Sequence, residues 1–70
     1  MKYEVQLKLK QILDKRNITQ LQLSELSGVR QSTISDIVRG SRTVINFEHL
    51  SKISKALELK SIDEIIDFKK

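Results

Sequence analysis

Five short helices packed as one all-α domain are what this sequence predicts, and three observations carry the prediction. Apolar residues recur three and four positions apart along most of the chain, the spacing of one buried helical face. Good capping residues stand ahead of these segments at Thr19, Asn46 and Ser61. Glycine occurs only at Gly28 and Gly40, where helices should stop, and proline is absent.

Val5, Leu9, Ile12 and Leu13 define a first helix over about Gln6 to Arg16. Tyr3, Val5, Leu7 and Leu9 also alternate with polar residues, the period of a half-buried strand. Either this end is extended, or Tyr3 and Leu7 cover a second surface. Thr19 and Gln22 make a capping box for a second helix, in which Leu23 and Leu26 point inward. Ser24 is small enough for a neighbouring helix to approach, and Gly28 suits the left-handed residue that ends a helix. A third helix spans about Gln31 to Val38, with Ile34, Ile37 and Val38 on one face and Ser32, Ser35, Asp36 and Arg39 on the other. Gly40 stops it, and Ser41 to Ile45 is a loop carrying Arg42. Asn46 caps a fourth helix whose Phe47, Leu50, Ile53 and Leu57 share a face. Ser61 and Glu64 form a second capping box, opening a short fifth helix through Phe68 with Ile62, Ile65 and Ile66 as its apolar contacts.

The 70 residues suffice for a single domain, 1–70, of modest stability. With no cysteine and one histidine, His49, the chain has neither a disulfide framework nor a multi-histidine metal site. No metal or other cofactor is expected. Asp63, Glu64 and Asp67 read as a solvated face. His49 has no nucleophile or second base placed to work with it, so no enzyme is expected. No apolar run approaches the roughly 20 residues of a membrane span. The N-terminus lacks an apolar core of signal-peptide length, which leads us to expect a cytoplasmic protein.

Lysine plus arginine number 13 against 9 acidic residues, a net charge of +4. The bias is uneven. Residues 1–45 hold eight basic and four acidic side chains, whereas residues 46–68 hold three and five. An anionic partner for the first two thirds of the chain is the natural reading.

Thr19 to Gly40 is the informative segment. Two short helices joined by a glycine-containing turn make a helix-turn-helix. Leu23 and Ile34 should bury the contact between its helices, and Val29 should plug the core beneath the turn. What remains outward on the third helix is short and polar: Gln31, Ser32, Ser35 and Asp36. A helix with such a face fits the major groove of DNA. Glutamine can pair with adenine, serine with any base, and a carboxylate with the amino group of cytosine.

The pattern T-Q-x-x-L-S-x-x-S-G-V-x-x-S-T-I-S-x-I-x-x-G over this segment resembles the Cro-type, lambda-repressor-like (XRE) helix-turn-helix family. The stretch A-L-E-L-K-S-I-D-E-I-I at 56–66 is similar to its closing helices. The resemblance implies a five-helix bundle, a transcriptional regulator and binding as a symmetric dimer. It implies a phosphate contact for Gln20, base contacts for Gln31, Ser32, Ser35 and Asp36, and backbone contacts for Arg30, Arg39 and Arg42.

Three departures from that family stand out. Arg30 replaces a frequent serine or threonine cap. Glu58 replaces a glycine that commonly closes the fourth helix. Leu13 and Val38 replace a buried arginine–glutamate pair, both charges having gone together as burial demands. They are expected to form an apolar contact.

The expected partner is therefore double-stranded DNA, read through the major groove by a homodimer on a palindromic operator. Repression would follow from occlusion of a promoter. The chain leaves no room for a ligand-sensing domain, so no small-molecule ligand is expected. The competing expectation is a protein-interaction module on the same fold, such as the antitoxin of a toxin–antitoxin pair. Phe68 is the residue best placed to extend into a partner.

Overall fold

A computed structural model describes residues 4–40 and 44–69. A short strand, β1 (Glu4–Leu7), leads into four helices: α1 (Leu9–Arg16), α2 (Gln20–Ser27), α3 (Gln31–Arg39) and α4 (Phe47–Ala56). A single 3-10 turn, Ile62–Glu64, and a second strand, β2 (Ile66–Lys69), complete the order. The strands pair antiparallel, with Val5 opposite Phe68 and Leu7 opposite Ile66.

The helix ends are fixed largely by the residues that the sequence nominates. At α2, the Thr19 hydroxyl accepts from the Gln22 amide at 3.1 Å and the Gln22 side chain accepts from the Thr19 amide at 2.9 Å. That reciprocal box satisfies two donors a helix start otherwise leaves open. Asn46 caps α4 by accepting from the amides of Glu48 and His49 at 2.8 and 3.3 Å. Gly28 ends α2 at φ +77°, and Gly40 ends α3 at φ +68°. Asn17 closes α1 at φ +55°, a conformation its short polar side chain tolerates. Glu58 sits at φ +53° just beyond α4, with the strain expected of a residue standing in a glycine position.

The core joins Leu9 and Leu13 of α1, Leu23 of α2, Val29 of the turn, Ile34 and Ile37 of α3, and Leu50 and Ile53 of α4. Leu57 and Ile65 close it. Leu13 is buried, whereas Val38 is half-buried at the margin of this cluster. The paired replacement thus lies partly at the core's edge.

Both ends of the domain differ from an all-α bundle. The first helix begins at Leu9, and the segment before it is extended, as the alternation of Val5, Leu7 and Leu9 allowed. Tyr3 lies outside the described residues. The fifth helix is absent: the Ser61–Glu64 capping box forms, yet the backbone makes one 3-10 turn and then a strand. Ile66 and Phe68 alternate with Asp67 and Lys69 in the same period of two as β1. Pairing with β1 satisfies the backbone and sets Leu7 against Ile66, while a helix of this length would be marginal alone. The Lys8 amide donates to the Ile65 carbonyl at 2.7 Å where the two strands enter the core.

Four side chains expected to face inward do not, and the first is Val5, which lies on β1 and is 65% exposed. Leu26 is 64% exposed, because Leu23 alone of α2 enters the core. Phe47, the first residue of α4, is 78% exposed, one turn ahead of the buried Leu50. Ile62, on the outer side of the 3-10 turn, is also exposed, and Ile65 takes the buried place.

Candidate nucleic-acid interface

The turn between α2 and α3 is tied internally. The Ser24 hydroxyl donates to the Val29 carbonyl at 2.6 Å, and the Ser27 hydroxyl accepts from the Val29 amide at 3.2 Å. Ser24 therefore spans the turn as well as leaving space at the helix contact. With Leu23 and Ile34 both fully buried and Val29 beneath the turn, the two helices form one rigid unit.

That packing decides which side of α3 faces out. Thr33, Ile34 and Ile37 are buried. Gln31 and Ser32 are exposed at the start of the helix, Ser35 and Asp36 are half-buried along its side, and Arg39 is exposed at its end. Five of the predicted site residues are thus brought together on one helix. Gln20 is the first residue of α2 and is half-buried, and Arg30 is the exposed residue immediately ahead of α3. Arg42 lies outside the described residues.

Arg30 makes no side-chain cap to α3, consistent with an arginine in a capping position. Its guanidinium is not committed to the helix start and can reach an anion beside it. Asp36 accepts from the Arg39 guanidinium at 2.7 Å, one turn along α3. The pair lowers the repulsion that a bare carboxylate would present to a phosphate backbone. It also holds Arg39 along the helix. At this exposure the ion pair adds little stability of its own.

The carboxylates with displaced protonation lie elsewhere. Glu64 is held below the ordinary range by the backbone N–H groups of Ser61 and Lys60. Asp63 is lowered mainly by the Ser61 hydroxyl. Asp67 instead joins the two strands, accepting from the Gln6 side-chain amide at 2.8 Å and lying 3.4 Å from the Lys8 ammonium. These three acids serve a turn and a strand pair. Among the described residues no group of three or more acidic, histidine or cysteine side chains is placed to hold a metal ion. No helix among them is long and apolar enough to cross a membrane.

Sequence reasoning missed one feature near this face. An open groove of about 630 Å³ runs from β1 to the end of α3, lined by Val5, Leu7, Val38, Ile45, His49 and Ile66 among others. Its signal was the alternation at the N-terminus, which marks a strand but not what lies beside it. The mostly apolar lining distinguishes it from the polar face of α3.

No curated protein and no solved structure matches the chain. Residues 9–65 match the helix-turn-helix family HTH_3, a span that runs from the first residue of α1 to the buried Ile65. The chain belongs to this family, the XRE-type, Cro- and lambda-repressor-like helix-turn-helix domains, which bind DNA and are not enzymes.

Proposed function

We propose that the chain is a sequence-specific transcriptional repressor that binds a palindromic operator as a homodimer. The observation that carries this reading is the division of α3: Thr33, Ile34 and Ile37 are buried while Gln31 and Ser32 stand exposed at its start. A helix anchored on one face and short and polar on the other is suited to the major groove.

In this reading Gln31 contacts adenine through N6 and N7, Ser32 and Ser35 hydrogen-bond base edges, and Asp36 accepts from the cytosine amino group. Gln20, Arg30, Arg39 and Arg42 contact phosphates, which fix register without reading sequence. Repression needs no chemistry, because a protein seated on a promoter excludes polymerase. Two-fold symmetry follows from specificity. Gln31 is the bidentate reader among these base-facing residues, and a good bidentate contact discriminates by about 1–3 kcal/mol. One copy therefore cannot find a site among about 10⁶ competing ones, whereas two copies double the discrimination.

Selection of bound duplexes from a random pool by the purified protein tests this. The expected product is palindromic, with half-site centres one helical turn, about 34 Å, apart and two chains per duplex. Retention without an enriched sequence, or one chain on an asymmetric site at saturation, would overturn the reading.

A further inference from the structure

The outward face of α3 carries one acidic side chain, Asp36, among the neutral Gln31, Ser32 and Ser35. A carboxylate that approaches DNA meets closely spaced phosphates of its own sign. It reads cytosine only if that repulsion is offset and if its oxygens point at the base edge. The side chain of Asp36 meets neither condition by itself. The terminal torsion of an aspartate is broad, so its rotamer does not set the plane of the carboxylate.

Arg39 supplies both conditions. Its Nη2 donates to Asp36 Oδ1 at 2.7 Å, across a spacing of three. The two side chains are unequally covered, that of Asp36 being 29% exposed and that of Arg39 66%. The carboxylate is the more enclosed partner, and the guanidinium is the one open to the surface. Helical spacing sets Arg39 among the readers rather than beside them. At 3.6 residues per turn it falls about 40° around the helix from Ser35 and about 60° from Asp36, between the two. It lies about 4.5 Å beyond Asp36 along the axis. Arg30, by contrast, precedes the helix.

A guanidinium carries five N–H donors in a rigid fork, and a carboxylate has about four lone-pair sites. Arg39 can therefore serve Asp36 and a phosphate together, and Asp36 can accept from Arg39 and from a cytosine amino group together. An ion pair that adds little to the free protein strengthens as water leaves the surface on entry into the groove.

We propose that Arg39 is a positioning residue for base reading: through its bond to Asp36 it aims the carboxylate at the cytosine amino group and ties that contact to the register set by a phosphate. The inference rests on the reading of α3 as the base-reading helix, and it gives Arg39 a part in specificity beyond its phosphate contact.

Selection of bound duplexes tests it, with Asp36→Ala, Asp36→Asn, Arg39→Ala and the double alanine variant run beside the native chain and Gln31→Ala. Far-UV circular dichroism confirms that each variant is folded. Asp36→Ala should reduce the cytosine preference at one position of each half-site by about fivefold or more and leave the other positions intact. Arg39→Ala should lose the preference at that same position, and should also bind more weakly on every sequence, with a salt slope smaller by about 0.9. The double variant should relax no further position, because the two side chains act as one unit. Asp36→Asn should favour adenine there, since an amide pairs with adenine N6 and N7. A plain phosphate contact at Arg39 would weaken binding and leave every base preference untouched. The proposal is overturned if Arg39→Ala keeps the cytosine preference or relaxes a different position. It is also overturned if Asp36→Asn keeps cytosine, which would make the arginine itself the reader. Should Gln31→Ala relax its own position while Arg39→Ala keeps cytosine, the DNA reading stands and this inference fails. Should the native chain select no sequence, both fail.

Discussion

Replacing Leu23 with alanine tests how the helix-turn-helix is held to the rest of the domain. Leu23 is fully buried and is the only buried residue of α2, whereas Leu26, one turn later, is 64% exposed. Truncating a fully buried leucine removes transfer free energy and leaves a cavity, together costing about 3–5 kcal/mol. A chain of 70 residues has a total stability of about 3.5–10 kcal/mol. Leu23→Ala therefore removes from about a third to all of it, and should lower the midpoint of thermal unfolding by about 12 °C or more, or abolish the folded state. Leu26→Ala changes mostly exposed surface and should stay within about 0.5 kcal/mol of the native chain. Thermal melts of the three proteins, followed by circular dichroism at 222 nm, make the comparison in one experiment. Equal destabilisation by the two substitutions would refute the packing of α2 described above. Leucines three residues apart both fit an inward stripe, and only the tertiary structure separates them.

Three further outcomes follow from the helix ends and the charges. Glu64 has a lowered pKa, so its contribution to stability is complete above the ordinary value of 4.5 and is lost as pH falls through the lowered one. Melts of Glu64→Gln across this acid range should show a flatter pH dependence and a lower midpoint at neutral pH; an unchanged acid slope would contradict the capping role. Glu58→Gly relieves a side chain at φ +53° and should stabilise by about 0.5–1 kcal/mol, a rise of a few degrees in Tm, whereas a fall would show that the strain is not there. Arg30→Ser should exchange a phosphate contact for a helix cap. Tm should rise by the worth of about 0.5–1 kcal/mol, while DNA affinity falls equally on all sequences and the salt slope drops by about 0.9. If affinity is unaffected by that substitution, Arg30 does not meet the backbone.

The helix-turn-helix was legible because its determinants are local. Thr19 and Gln22 lie within one turn of each other, Gly28 needs only its own backbone, and the face opposite Ile34 and Ile37 follows from helical spacing. The base-reading candidates were therefore nameable from the sequence. The ends of the domain were not. β1 and β2 are about sixty residues apart, and their pairing depends on a contact that no local period reports. The same short alternation fits a strand or a weak helix, and the capping box at Ser61 favoured the helix. Phe47 and Leu26 misled for a related reason: periodicity marks a face, but whether a neighbour covers it is a property of the packed domain. The ion pair between Asp36 and Arg39 lies at a spacing of three, which helical geometry permits but does not by itself require.

The central claim, that the outer face of α3 reads DNA sequence, is tested most directly by repeating the selection of bound duplexes with Gln31→Ala beside the native chain and Arg30→Ala. Gln31→Ala should relax the preference at one position in each half-site, by about 1–3 kcal/mol of discrimination, and leave the others intact. Arg30→Ala should bind more weakly while selecting the native sequence. An unchanged base preference for Gln31→Ala at every position would contradict the claim.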